Sequence, residues 1–369
     1  MMDENIPCII KPIDGAILNR HDGEVKGKGL LIEVNLRAPS EAKVFVNSIP
    51  AKWDGQLWRC IVALTEHRTE LIACAELREK KSEHHIVVLY DRNSTPRYRM
   101  SVDDNIMFLR DIAHNSTDYR SIFDDPYMAF WREMHRRYGT KVHLNIYYQT
   151  VDGSFTLRQM PDKFKNEWRE NSHWLRLTFH ALQDEPARPY RNAPASEIEH
   201  DFLLVTEEII RFAGEELLSP FTTIHWGEAT REGCRALRKQ GIHGLVGYFV
   251  FHNGEPAVSY YLDADHTRYM QEHDYWWDRS EDIFFVHHDI VLNAFPLDRI
   301  TPELERIAEN PHQSEIMELI IHEQYFREDI PHLYQPDAQQ KVIAALEWVT
   351  ERGYKPVLYD EGFIGAPEP

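Results

Sequence analysis

Hydrophobic and polar residues alternate with a period of two over residues 1–95. Runs of this kind lie at residues 30–36, 42–46, 58–64, 69–75 and 85–90. Such alternation is typical of β-strands that bury one face, and Asn47-Ser48 after the second run is a hairpin signal. Because the strands are short and no helical stretch separates them, we predict a small all-β sandwich in this region.

The pattern changes after residues 92–96, where strand-like runs begin to alternate with helix-like ones. Residues 196–213 and 337–352 carry apolar positions at helical spacing. About seven β/α units of this kind predict an α/β fold, a β/α barrel that is closed or nearly closed. The sequence therefore predicts two domains, a β-sandwich over residues 1–95 and a barrel over residues 96–369.

Strand-like segments of the second region end in ionisable residues. A buried parallel strand should be apolar throughout, and the carboxyl ends of the strands form the active-site face of a β/α barrel. We therefore expect these ends to meet at one site. The residues concerned are Asp103, Asp104, His180, His225, His287, His288, Asp289, His322 and Glu323. Because Asp and His bind metals and act as acids and bases, the pattern predicts a metal-assisted hydrolase.

The earlier strand ends also have structural interpretations when each is taken alone. Asp103 and Asp104 could cap a helix that begins near Asn105, or a metal could neutralise one carboxylate and leave the other as a base. His180 and Asp184 lie four residues apart, a spacing that places two ligands on one ion if this stretch is a turn of helix. They could instead be a core histidine and a surface carboxylate.

The later strand ends add further histidines. His287 and Asp289 lie on one face of a predicted strand because side chains alternate along it, and a carboxylate beside a histidine orients the ring and raises its basicity. His322 follows an apolar run, where a lone histidine would usually be structural. Here it belongs to a series of ionisable strand ends.

On these residues, the region from residue 96 onward resembles the polysaccharide deacetylase family of carbohydrate esterases. That family has a distorted barrel of the glycoside hydrolase/deacetylase type, one divalent metal and short motifs at strand ends. The Asp103-Asp104 pair matches its first motif, and residues 320–322 match its fifth, an apolar pair followed by His. His180 matches the first histidine of the second motif, but Asp184 stands where the second histidine belongs.

The two remaining motifs match less well. Residues 224–227 take the place of the third motif but lack its Arg, so the usual partner of the catalytic base is missing. The fourth motif carries an Asp that tunes the catalytic acid, and Asp289 could match it.

The resemblance implies that the protein removes acetyl groups from an N- or O-acetylated carbohydrate. The implied metal ligands are Asp104, His180 and Asp184, the implied catalytic residues are Asp103 as base and His322 as acid with Asp289 orienting it, and the candidates for substrate binding are His225, Trp226, His287, Tyr325 and Trp276. His225 or His287 could be a ligand instead of Asp184, and Trp276 could simply pack in an insertion. The metal could be Zn, Mn, Co or Fe, because an Asp/His/Asp set is harder than one with two histidines.

Residues 1–95 resemble the immunoglobulin-like accessory domains of carbohydrate-active enzymes. In such a domain Trp53 and Trp58 could stack on a sugar, or they could pack in the core.

Two other functions remain open at this stage. A hydrolase of glycosidic bonds on the same barrel type could draw its carboxylate pair from Asp103, Asp289 and Glu323. A non-catalytic carbohydrate-binding relative would account for the missing Arg and the altered second motif.

Composition narrows the partners and the compartment. The chain has 369 residues, enough for two domains, and its net charge of −19 argues against nucleic acid or an anionic membrane, since phosphate binding needs a basic surface. The four cysteines form no CxxC pair and no zinc spacing. No apolar run approaches about 18 residues, and the N-terminus is acidic. We therefore expect a cytoplasmic protein with a carbohydrate substrate and reduced thiols.

Overall fold

The computed structural model describes residues 6–78 and 80–367. The chain divides into two units. The first runs to Ser94 and also takes in Tyr275–Ser280 and the residues from Ala366 onward, and the second comprises Thr95–Asp274 and Glu281–Gly365. The predicted boundary at residue 95 assigns Tyr275–Ser280 to the second domain, whereas this segment belongs to the first unit.

The first unit is built from β-strands. These strands are β1 Cys8–Lys11, β2 Ile17–Leu18, β3 Gly23–Lys26, β4 Gly29–Arg37, β5 Lys43–Val46, β6 Ile49–Pro50, β7 Lys52–Trp53, β8 Trp58–Leu64, β9 Arg68–Leu77 and β10 Lys80–Tyr90. They form two sheets, β1-β4-β8-β7 with β3 beside β4, and β2-β10-β9-β5-β6. Every second residue of β8 is buried, as the period of two requires. Trp58 belongs to this core, whereas Trp53 is 39% exposed.

Strands and helices alternate through most of the remaining chain. The strands are β11 Arg97–Asn105, β12 Val142–Tyr147, β13 Leu175–Ala181, β14 Phe221–Thr222, β15 Gly244–Gly247, β16 Val250–His252, β17 Glu255–Ala257, β18 Tyr275–Asp278, β19 Ile283–His287, β20 Ile290–Val291, β21 Ile316–His322 and β22 Lys355–Pro356. The α-helices are α1 Met107–His114, α2 Pro126–Tyr138, α3 Lys165–Glu170, α4 Ala195–Phe212, α5 Arg231–Lys239, α6 Ala264–Met270, α7 Ile300–Ala308, α8 Pro311–Ser314 and α9 Ala338–Glu351. The helices predicted over residues 196–213 and 337–352 are confirmed by α4 and α9. Within the described residues, no helix is long and apolar enough to cross a membrane.

The ends of α2 show how local sequence sets the helix boundaries. Pro126 occupies the first helical position, where its missing N–H would have had no partner in the helix, and the Asp125 side chain accepts a hydrogen bond from the N–H of Met128 at 3.1 Å. The helix ends at Tyr138, and the next residue, Gly139, has a φ of 71°, which suits a residue without a side chain.

The second unit is a mixed α/β structure in which most strands run parallel in two sheets. One sheet has the order β13-β12-β11-β21-β20, and the other contains β14-β15-β19. At the junction of β13 and β14, the Thr222 hydroxyl donates to the carbonyl of Phe179. Over the described residues, backbone hydrogen bonds thus divide the parallel strands between two sheets, and β16 and β17 form a separate antiparallel pair.

Candidate metal centre

The carboxyl ends of β11, β13 and β14 bring Asp104, His180 and His225 together. One ligand atom of each residue lies within 4.8 Å of the other two, and all three side chains are buried. The pairing of β11 with β12 shifts between Val102 and Asn105, and Asp104 there has a φ of 63°. Bulges of this kind re-aim side chains beside functional sites, and here the neighbouring carboxylates Asp103 and Asp104 make different contacts.

The spacing of the three ligand atoms fits a divalent metal. Oδ1 of Asp104 lies 3.0 Å from Nε2 of His180 and 3.3 Å from Nδ1 of His225, and the two nitrogens are 3.2 Å apart. Donors about 2.0–2.2 Å from a tetrahedral ion are separated by about 3.3–3.6 Å. The three atoms therefore approximate one face of such a tetrahedron.

Hydrogen bonds to the backbone orient both imidazole rings toward this face. Nδ1 of His180 lies 2.5 Å from the carbonyl oxygen of Thr223, and Nε2 of His225 lies 2.9 Å from that of Asp184. A carbonyl oxygen only accepts, so these nitrogens carry the N–H and donate it. The other nitrogen of each ring is left with a lone pair directed at Asp104, the arrangement typical of metal-binding histidines. Such lone pairs at this distance need a cation or a proton between them.

Asp184 is a corrected prediction, because the cluster that the structure brings together contains His225 and not Asp184. The spacing argument assumed a turn of helix after His180, but β13 ends at Ala181 and the chain continues without a helix. The side chain of Asp184 is 45% exposed, and its Oδ1 lies 3.7 Å from Nε2 of His225. Its backbone carbonyl orients His225, and its Oδ1 lies 3.2 Å from the hydroxyl of Tyr147.

Burial and neighbouring charges shift the pKa values of the site residues. Burial would raise the pKa of Asp104, but close contact with the imidazoles of His180 and His225 holds it well below its usual range. Burial raises the pKa of Asp103, and the nearby His180 and His322 offset this only in part. Asp104 is therefore an ionised carboxylate available to a cation, whereas Asp103 takes up a proton more readily, as a base must.

Asn145 is the partner of Asp103 that the sequence interpretation missed. Its Nδ2 donates to Oδ1 of Asp103 at 2.6 Å and to Oγ of Ser101 at 2.9 Å, while its Oδ1 accepts from Oγ1 of Thr178 at 2.5 Å. A neutral amide thus holds the carboxylate for which the resembled family uses an Arg. The rule applied to the other strands could have found it, since Asn145 is a buried polar residue within β12.

The orientation of His322 by Asp289 is also a corrected prediction. Nδ1 of His322 lies 2.8 Å from Oδ1 of Asn293, whereas Oδ2 of Asp289 accepts the N–H of Glu318 at 2.7 Å. The cause is strand register: Ile290 pairs with Leu319, which places Asp289 level with Glu318. That position is four residues, or about 13 Å, before His322 along the strand.

A cavity of about 410 Å³ adjoins the candidate metal centre. Asp103 and His322, which lie opposite each other in the pairing of β11 with β21, both line it. Trp226 and Tyr325 line it as well, and Trp226 is 44% exposed with a φ of 65° that is rare for a bulky residue. His288, which had no assigned role, is a further lining residue.

Two of the substrate-binding candidates have other surroundings. His287 is 7% exposed, and its ring stacks on Tyr248 at a centroid distance of 6.2 Å. Trp276 belongs to the first unit, where it is 7% exposed and its indole N–H donates to the carbonyl of Asp14 at 2.8 Å. The structural interpretation of Trp276 as a packing residue is the one that these contacts favour.

Glu323 caps α1, the helix that follows the Asp103-Asp104 pair. Its carboxylate accepts the N–H groups of Ile106 at 2.8 Å, Met107 at 2.9 Å and Phe108 at 2.6 Å. Together with the backbone bond of Asp289, this removes two of the three carboxylates from which the glycosidase alternative could draw its pair.

We expect Glu323→Ala to lower the free energy of unfolding by about 2–4 kcal/mol, because several backbone donors at the helix start lose their acceptor. Denaturant unfolding measures this change. The matched control is Glu328→Ala on the exposed surface, which should change stability by less than about 0.5 kcal/mol. Equal effects of the two substitutions would contradict the cap.

Comparisons with known proteins find only remote similarity to solved structures. No protein-family model and no curated protein matches it. It is similar to the solved structure of a Streptococcus mutans CE4 esterase, with 10% identity, a TM-score of 0.37, and 71% of this chain and 85% of that chain covered. It is also similar to a peptidoglycan N-acetylglucosamine deacetylase, with 8% identity, a TM-score of 0.34, and 72% of this chain and 86% of that chain covered. For a CE4 family pseudoenzyme from Bacillus anthracis the identity is 7% and the TM-score 0.32, with 78% of this chain and 81% of that chain covered. Sequence identities and TM-scores this low say nothing about the activity of this chain, so the residues of the site are what bears on function.

Proposed function

We propose that the protein is a metal-dependent hydrolase that removes acetyl groups from an N- or O-acetylated carbohydrate. The proposal includes a barrel of the deacetylase type and an immunoglobulin-like first domain. The observation that carries it is the convergence of Asp104, His180 and His225, with each imidazole fixed through its other nitrogen by a backbone carbonyl.

Asp104, His180 and His225 would hold the metal. When bound, a divalent ion supplies Lewis acidity, which lowers the pKa of water and stabilises negative charge on a carbonyl oxygen. Asp103 does not belong to this ligand set, and its carboxylate accepts the proton of the attacking water. Asn145 holds that carboxylate in place through the hydrogen bond at 2.6 Å.

His322 supplies the proton that the departing group requires. Asn293 engages its Nδ1 at 2.8 Å, so Nε2 is the atom left to protonate a leaving amine or alcohol. Because Asp103 and His322 are register partners on neighbouring strands, base and acid flank one point of the cavity. This is the arrangement that hydrolysis of an amide or ester needs.

The cavity also offers aromatic surface to a sugar. The exposed ring of Trp226 has the Arg188 guanidinium 5.2 Å from its centroid, and Tyr325 lies on the same cavity. An aromatic face suits the C–H groups of a pyranose, and a guanidinium donates hydrogen bonds to its hydroxyl groups. These two aromatic residues support a carbohydrate as the substrate.

The purified protein should carry about one divalent ion per chain, because the three donors form one site. Chelation should abolish acetate release from a panel of N- and O-acetylated sugars, and added Zn, Mn or Co should restore it. Elemental analysis and an acetate assay measure both effects, and the matching glycosides without acetyl groups serve as the control. A metal-free protein that also refuses all three ions in calorimetry would overturn the proposal.

A further inference from the structure

Tyr147 places a hydroxyl group among the candidate metal ligands. It is the last residue of β12, which lies between β11 and β13, the strands that carry Asp104 and His180. The hydroxyl donates to Oδ1 of Asp104, lies 2.9 Å from Nδ1 of His225 and is 3.2 Å from Oδ1 of Asp184. With 1% of its surface exposed, Tyr147 presents its hydroxyl to this site and not to solvent.

The hydroxyl oxygen of Tyr147 lies beside two of the three other donor atoms. Asp104, His180 and His225 form one face of a tetrahedron, with edges of 3.0–3.3 Å. The Tyr147 oxygen lies 2.9 Å from Nδ1 of His225, close to the length of these edges, and it is nearer still to Oδ1 of Asp104, to which it donates. A buried tyrosine hydroxyl usually finds one partner, whereas this one contacts two ligand atoms and a further carboxylate.

We propose that Tyr147 is the fourth protein donor of the metal, which the chain then binds through Asp104, His180, His225 and Tyr147. The inference rests on the metal site of the proposed function and adds to it a phenol oxygen. On binding, the hydroxyl proton that now points to Asp104 leaves to solvent, and the oxygen lone pair turns to the ion. Two oxygen and two nitrogen donors form a harder set than one rich in histidine or thiolate, which favours iron or manganese among the possible metals.

The alternative role for Tyr147 is that of a hydrogen-bond donor that only orients Asp104. The two roles differ in the size of the effect on metal affinity. Loss of an orienting partner costs about 10–100-fold in affinity, so loss of a direct donor should exceed about 100-fold. They also differ in spectroscopy, because a tyrosine oxygen bound to iron(III) gives a visible charge-transfer absorption and an orienting tyrosine does not.

The experiment compares the unaltered protein with Tyr147→Phe and with Tyr148→Phe, a neighbouring buried tyrosine outside the site. Iron(III)-loaded wild type and Tyr148→Phe should be coloured and Tyr147→Phe colourless, and zinc affinity of Tyr147→Phe should fall by more than about 100-fold in calorimetry. If Tyr147→Phe fails to fold, the wild-type spectrum still decides the question. Colourless wild type with iron bound, or a smaller loss of zinc affinity, would overturn this inference alone. A wild-type protein that binds neither metal would overturn the proposed function as well.

Discussion

Replacing His225 by alanine should weaken binding of a divalent metal by about 10²–10³-fold. Structural zinc sites with four donors bind with apparent free energies of about 10–16 kcal/mol, so one donor contributes roughly a quarter of that, and each 1.4 kcal/mol is tenfold. His225 supplies a nitrogen 3.2 Å from that of His180 and 3.3 Å from the Asp104 carboxylate. Calorimetric titration with zinc measures the loss, and acetate release should fall with metal occupancy.

Asp184→Ala is the control. It tests whether His225, which the structure places beside Asp104 and His180, or Asp184, which the four-residue spacing from His180 suggested, binds the metal. The substitution keeps the backbone carbonyl that accepts the His225 N–H at 2.9 Å, and it removes a side chain that is nearly half exposed. We therefore expect metal affinity to change by less than about tenfold, below the usual effect of an outer partner. A loss as large as that of His225→Ala would restore Asp184 to the ligand set.

Residues at the ends of buried parallel strands were the predictable part of the site. Asp103, Asp104, His180 and His322 each lie at the end of a strand-like segment, and parallel strands bring their carboxyl ends to one edge whatever the loops do. The structure accordingly lines one cavity with all four. The helical spacing of apolar residues likewise predicted α9, whose bounds of Ala338–Glu351 lie within two residues of the predicted helix.

The path of the chain beyond a strand end was not predictable. Whether Asp184 or His225 reaches the ion depends on how the chain leaves β13, which the four-residue spacing does not determine. The partner of His322 depends on the offset between β20 and β21, and a change of register moves a side chain by about 3.3 Å per residue. Asn293 lies just after the end of β20 along the chain, in a turn that no strand pattern marks.

Tyr147 and Asn145 were missed for a different reason. Both lie in β12, and the apolar Val142, Leu144 and Ile146 made the strand look like ordinary core. An aromatic residue counts as hydrophobic in a periodicity analysis, although a buried tyrosine still carries a hydroxyl that needs a partner. The end of a buried strand is where such a residue is most informative.

Replacing His322 by alanine should leave metal content intact and lower acetate release from an N-acetylated sugar by about 10²–10⁴-fold, the usual worth of a positioned acid. The residue lines the cavity with Asp103, and its Nδ1 is engaged by Asn293 at 2.8 Å. If His322 were instead a ligand, metal content would fall. If it were only a packing residue, the rate per folded molecule would stay the same and the melting temperature would drop.

The leaving group distinguishes proton donation from a general disturbance of the site. An aryl acetate releases a phenolate that departs without a proton, so His322→Ala should lose much less rate on it than on the N-acetylated sugar. Asn293→Ala should show the same preference with a smaller loss, because it removes only the partner that orients the ring. Asp289→Asn should leave the ratio of the two rates unchanged, since Asp289 bonds to the backbone of Glu318 and not to His322. Equal losses on both substrates in folded, metal-loaded His322→Ala protein would remove this residue from the proton transfer.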